Sequence, residues 1–315
     1  MHSLRRVFAL CSLTLPLVLG ACEASRQEEV AAAPAAGAAI PPVKEMPGIH
    51  NYRRWSEKLA QGGQPEGDKA FQALKAEGIT TIITVDGAQP DVAGAERVGM
   101  KYVHIPIGYD GISKDEEARI VKAVEESSGP VFLHCHHGLH RGPAAAAVAR
   151  IAVDGVSNET AVAGLKASGC SPAYDGLFRD VLFFAMPSKD TLAAIGPLPS
   201  SVKPAGVRDA MIHISDRFDY VKASQGAQWA QLPQFPDVTP AHEATMLREG
   251  FRELARTPAA QAKAADFLAR LAAAEAQAGA LEDALHAGDL GQADAAYDDL
   301  KGSCTACHAA YRDHD

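Results

Sequence analysis

Apolar positions along this chain follow two periods, and the change falls near residue 206. Upstream, short apolar runs alternate with helical stretches: Ile79 to Val85, Tyr102 to Ile107 and Val131 to His134 read as strands. Asp68 to Glu77 and Lys114 to Glu126 carry helix-forming composition, and everything from Arg141 to Phe184 is helical in pattern, broken at Gly155 and Gly169. This rhythm predicts an α/β domain, a mostly parallel sheet flanked by helices. Downstream the strand signal stops and apolar residues step by three and four: Val207, Met211, Ile214, Phe218 and Val221; then Leu247, Phe251 and Leu254; then Phe267, Leu271, Ala274, Ala278, Leu281 and Leu285; then Ala293, Tyr297, Leu300, Cys304, Cys307 and Tyr311. Four such stripes predict an all-α four-helix bundle.

Between these patterns lie stretches that cannot build a core. Residues 22–48 are rich in Ala and Pro without periodicity and read as a disordered tether, and residues 188–205, interrupted by Gly196, Pro197, Pro199 and Pro204, as a linker. The domains expected are therefore 49–187 and 206–315, which suits a chain of 315 residues. Arg5 and Arg6 followed by an apolar run to Leu19 make an export signal, too short to span a bilayer. Leu19-Gly20-Ala21-Cys22 resembles the lipobox of bacterial lipoproteins, which implies that 1–21 is removed, that Cys22 takes lipid, and that the protein is tied to a membrane in the bacterial periplasm. A net charge of −9 argues against nucleic acid or a polybasic membrane patch as partner.

The chemistry concentrates in two places. In His134-Cys135-His136-His137-Gly138-Leu139-His140-Arg141, a strand end runs through a short loop into a helix start. Successive N–H groups of residues 136 to 141 and the positive helix end would then converge on one small anion, Arg141 would grip two of its oxygens, and the field would favour thiolate at Cys135. With Gly62-Gly63-Gln64-Pro65 and the strand Tyr102 to Ile107 followed by Gly108-Tyr109-Asp110, this loop resembles the cysteine-dependent dual-specificity phosphatases, particularly their small atypical members. The resemblance implies that Cys135 attacks phosphorus to form a phosphocysteine and that Asp110 is the general acid and base, with Asp115 and Glu116 as fallbacks. It also implies that His134 orders the loop. His136, His137 and His140 are expected to raise local positive charge; anchoring leaving-group oxygens or holding a metal are the alternatives. The chain departs from the family at Gly142, where most members have a serine or threonine whose hydroxyl helps the thiolate leave, so turnover should be slow.

The second place is Cys304-Thr305-Ala306-Cys307-His308, the spacing of covalent haem attachment: two thiols for the vinyl groups and His308 for the iron. Zinc would lack a second pair of ligands in this domain. The segment around it resembles the cytochrome c′ and c556 family over about residues 206 to 311, which implies one haem c in a four-helix bundle with His308 as axial ligand. In that family the opposite face is open or closed by a first-helix methionine; Met211 is the matching candidate, a gap-filling core methionine the alternative, and His213 falls off the stripe.

Of the six cysteines, Cys170 is left as a core residue with a minor redox option. Taken together, the sequence predicts an exported phosphatase acting on a phosphorylated substrate of unspecified class, with a haem domain that senses or exchanges electrons with a redox partner. Two other classes stay open: a sulfur-transfer or persulfide protein, and a non-enzymatic cytochrome with a phosphate-binding module.

Overall fold

The computed structural model describes residues 40–204, 206–236 and 238–312, so the signal segment 1–21, Cys22 and most of the expected tether lie outside the described residues. In chain order the elements are β1 (Arg53–Arg54), β2 (Leu59–Gly62), α1 (Gly67–Ala76), β3 (Thr81–Thr84), α2 (Val92–Arg97), β4 (Lys101–His104), α3 (Lys114–Glu125), β5 (Val131–His134), α4 (Arg141–Asp154), α5 (Asn158–Ala167), α6 (Asp175–Leu182) and α7 (Lys189–Ala194). The helical part follows as α8 (Val207–Gly226), α9 (Pro240–Ala255), the single turn α10 (Pro258–Gln261), α11 (Ala265–Ala287) and α12 (Leu290–Tyr311).

Among the described residues the sheet has five strands in the order β1-β2-β5-β3-β4, parallel except for β1. Its period of two divides the apolar residues between two cores. Ala60, Ile82 and Phe132 meet α1 and α2 through Phe71, Leu74 and Ala95, while Leu59, Ile83 and Leu133 meet α3, α4, α5 and α6 through Ile120, Val121, Val148, Leu165 and Leu177. The crossover direction reverses after β4, which returns β5 to the middle of the sheet. Its carboxyl end therefore opens where parallel sheets present ligand sites. The strands β1 and β2 were not expected: Leu-Ala-Gln-Gly is too short and too mixed to show alternation, yet all of β2 is buried against β5.

Two segments differ from expectation. Residues 40–48, placed in the tether, lie on the α/β domain: Ile40 packs on its core, Lys44 N–H donates to the Tyr52 carbonyl at 2.8 Å, and Met46 bridges Ile49. The expected linker is laid along β4, where His104 N–H donates to Pro199 at 2.9 Å and Val202 N–H donates to the His104 ring at 2.9 Å. Prolines stop helices but do not stop docking, because their carbonyls still accept.

In the helical part α8, α9, α11 and α12 bury the expected stripes around Ile214, Val221, Leu247, Phe251, Leu271, Ala278, Leu281, Tyr297 and Leu300. Helix α9 is buried nearly all round, because its other face, with Met246, Glu249 and Glu253, packs on the α/β domain. Among the described residues no helix is long and apolar enough to cross a membrane.

Candidate active site and haem pocket

The loop after β5 is held from outside by its carbonyls. Gln64 N–H donates to His136 O at 2.9 Å, the Asn51 amide to His137 O at 2.9 Å, and the buried Gln61 amide to Gly138 O at 2.7 Å. With three carbonyls tied outward, the peptide planes turn their N–H groups the other way. Among the described residues the N–H groups of His136 to Arg141 donate to no protein acceptor. Gly138 makes this turn possible: its φ is +72°, and a Cβ there would stand 2.3 Å from the Gly62 carbonyl carbon and 2.4 Å from the Gly63 nitrogen. The left-handed backbone alone costs an alanine about 1 to 2 kcal/mol, so Gly138→Ala should lower Tm and let Cys135 be alkylated at the same rate with or without vanadate. A variant that keeps both the wild-type melt and vanadate protection would refute the cradle.

Cys135 is buried, and Gly142 lies directly beneath it: a Cβ at 142 would meet Cys135 N at 2.9 Å and Sγ at 3.4 Å. The space that a serine or threonine would need is taken by the cysteine's own backbone. His134 is clamped between the Tyr102 hydroxyl at 2.5 Å and the Cys135 carbonyl at 3.3 Å. Burial lowers this imidazole to about 4 from its usual 6.5, with Asp86 opposing the shift. A group that binds its proton less readily when folded stabilises the fold fully above pH 6.5 and loses that contribution as pH falls toward 4. At 1.36 kcal/mol per unit this amounts to about 3 kcal/mol. The urea midpoint should therefore fall between pH 7 and pH 4.5, and fall less in His134→Asn.

His136, His137 and His140 correct the expectation of added positive charge. Burial, the largest influence on each, lowers all three imidazoles, His136 and His140 to about 4, so at neutral pH they carry none. Among the described residues no group of three or more His, Cys, Asp or Glu side chains converges on a metal position. The fallback acids are also accounted for: Glu116 closes the α3 capping box with Ser113, and Asp115 pairs with Arg119 on the helix surface. Burial pushes the Cys170 thiol up to about 12, with Cys135 adding to it, as suits a core residue.

Arg141 is fully buried. Of its five N–H donors, the Nη1 pair goes to the Ile107 carbonyl at 3.2 Å and Glu253 Oε1 at 2.7 Å, and the Nη2 pair to Asp86 Oδ1 at 3.2 Å and the Tyr109 hydroxyl at 3.0 Å. Its plane lies over the Tyr109 ring at 4.0 Å. The fifth, Nε–H, is buried without a partner. Burial works to raise the Asp86 carboxyl, but the guanidiniums of Arg141 and Arg256 prevail and hold it at about 2. Asp110 is half exposed and pairs with Arg217 of α8 at 2.7 Å. A cavity of about 490 Å³ separates the domains here, lined by Tyr109, Asp110, His213, Arg217, Glu249 and Glu253. Sequence reading missed Asn51, Gln61, Asp86 and Glu253; only Asp86, two residues past the end of β3, stood near a strand's carboxyl end where it could have been suspected.

A second cavity, about 240 Å³, opens inside the helical part and is lined by Cys304, Cys307 and His308 of α12, Met211 of α8, and Ile214, Phe218, Phe251 and Leu271. Two thiols, an imidazole and a thioether facing one apolar space are a donor set that fits a haem. His213 lines the other cavity and is not among these residues.

Fold and site define an α/β domain whose β5–α4 loop carries a buried cysteine and a buried arginine, joined to a helical domain with paired cysteines and a histidine. Residues 212–312 match the sequence model of the family Cytochrome C'. Solved structures similar to the α/β part include TpbA of P. aeruginosa, 22% identical over 44% of this chain and 94% of that one, with a TM-score of 0.34. A variant of TpbA in complex with pTyr is 21% identical over 42% and 91%, with a TM-score of 0.33. A DUF442 protein of Shewanella putrefaciens CN-32 is 20% identical over 42% and 92%, with a TM-score of 0.35. No curated protein matches the chain.

Proposed function

We propose that this chain is a cysteine-dependent phosphatase that hydrolyses phosphate monoesters, exported and lipid-anchored through Cys22 in the bacterial periplasm, with a covalent haem c that senses or exchanges electrons. The observation that carries the reading is the buried, unpartnered Nε–H of Arg141 at the end of a loop that holds the buried Cys135 and whose N–H groups have no acceptor among the described residues. Such a site gathers donors for an oxyanion and offers one nucleophile. The Cys135 thiolate attacks phosphorus, the bond from phosphorus to the leaving oxygen breaks, and Asp110 gives that oxygen its proton. Water then attacks the phosphocysteine, Asp110 takes a proton from it, and inorganic phosphate leaves with the thiolate restored. Asp110 must first leave Arg217, and no hydroxyl at 142 assists the departing sulfur. The test is phosphate release from an aryl phosphate by the full chain; thiocyanate formation from thiosulfate and cyanide in its place would reassign the loop to sulfur transfer.

In the helical domain Cys304 and Cys307 would hold the haem by adding their thiols across its vinyl groups, His308 would bind the iron, and Met211, which lines the same cavity, would be available as a further ligand. The group supplies one-electron exchange or small-gas binding. Replacing both Cys304 and Cys307 by Ala should remove all haem that survives a denaturing gel, and either single change should leave part of it. Haem staining that persists in the double variant would overturn covalent attachment.

A further inference from the structure

The phosphate reading leaves one contact without a task. Glu253 of α9 reaches out of the helical domain and sets Oε1 on Arg141 Nη1 at 2.7 Å, where the Gly87 N–H also donates to it at 3.0 Å. A Cβ at Gly87 would lie 2.4 Å from that oxygen, so the absence of a side chain there makes the approach possible. We propose that Glu253 is an internal competitor for the phosphate seat, a carboxylate that a phosphorylated substrate must displace. The proposal rests on the cradle being a phosphate site.

Donor counting supports it. Every Nη hydrogen of Arg141 is already engaged, and Glu253 holds the Nη1 hydrogen that Ile107 leaves over, so a phosphate oxygen takes that charged hydrogen bond only by displacing Glu253. The partners are not equivalent. Ile107 and Tyr109 are neutral, and Asp86 is buried between Arg141 and the second guanidinium of Arg256. Glu253 is the charged partner that comes from the other domain, and its side chain keeps 31% exposure beside the interdomain cavity, which gives it room to swing. Charge points the same way. Arg141 and Arg256 against Asp86 and Glu253 sum to zero, and the Cys135 thiolate of the proposed mechanism leaves the seat one charge negative, so an incoming dianion is repelled. Once Glu253 turns away while Arg256 stays on Asp86, that excess negative charge is gone. The helical domain thus both withholds the anion grip, through Glu253, and preserves it, through Arg256.

Glu253→Gln in the full chain should lower KM for an aryl phosphate and Ki for inorganic phosphate by about tenfold, a difference of about 1.4 kcal/mol, with the effect falling on these more than on kcat. Gly87→Ala keeps Glu253 but fills the space its carboxylate occupies, and should shift KM and Ki in the same direction; it also serves as the test if Glu253→Gln proves unstable. If both variants leave KM and Ki unchanged or raise them while the wild type shows Cys135-dependent turnover, the competitor is wrong and the phosphatase stands. If neither wild type nor variants bind inorganic phosphate or turn over an ester, both readings fall.

Discussion

Cys135→Ser should reduce aryl phosphate turnover to background, a loss of at least about 10³-fold, while the melt and the far-UV spectrum stay those of the wild type. The change exchanges one sulfur for one oxygen at a buried position in the middle of the cradle, so packing hardly alters. What alters is the nucleophile: a serine hydroxyl is far less acidic and less nucleophilic than a cysteine thiol, and His134 is not available to activate it, since its ring is engaged with Tyr102 and the Cys135 carbonyl. The amides and Arg141 remain, so the variant should still bind inorganic phosphate, and that binding separates loss of the nucleophile from collapse of the site. Turnover that survives the substitution would move the chemistry away from Cys135 altogether. Because Gly142 brings no hydroxyl to the departing sulfur, the wild type should show a fast first turnover followed by a slower steady rate.

How far the sequence could be read depended on how locally each feature is encoded. Cys135 and Arg141 are spaced by one loop, the stripes of α8, α11 and α12 repeat within a turn, and Cys304, Cys307 and His308 share one helix, so each could be recognised without knowing the rest of the chain. The supports of the cradle could not. Gln61 lies 77 positions from the carbonyl it holds, and Asn51 lies 86 from its own. Glu253 lies 112 positions from Arg141, on a helix whose polar face reads as solvated until a second domain is laid on it. The histidines failed for a related reason: their number suggests charge, but only burial decides whether an imidazole keeps its proton, and burial is not written in the spacing. The expected tether and linker erred through composition, which registers missing periodicity but not a neighbouring sheet edge such as β4 that supplies partners to an irregular chain.

Arg141 should show two separable losses, because it serves two purposes with one side chain. As a structural cation it lies fully buried against Asp86 and Glu253. Arg141→Met leaves Asp86 with Arg256 and Glu253 with only the Gly87 N–H, and removing one partner of a buried pair costs about 3 to 5 kcal/mol. That variant should melt well below the wild type. Arg141→Lys keeps the charge and should retain more of the stability, yet an ammonium is a point charge with three donors and cannot replace a planar fork on two phosphate oxygens. Two charged hydrogen bonds at about 1.5 to 3 kcal/mol each put the loss in kcat/KM at about 10² to 10⁴-fold. Measured together, the melts should rank wild type, lysine, methionine, while both variants lose activity alike. If the lysine enzyme is as active as the wild type, a point charge suffices and the two-pronged hold on phosphate is wrong. If the methionine enzyme melts with the wild type, the four contacts to Asp86, Glu253, Ile107 and Tyr109 contribute nothing to the fold.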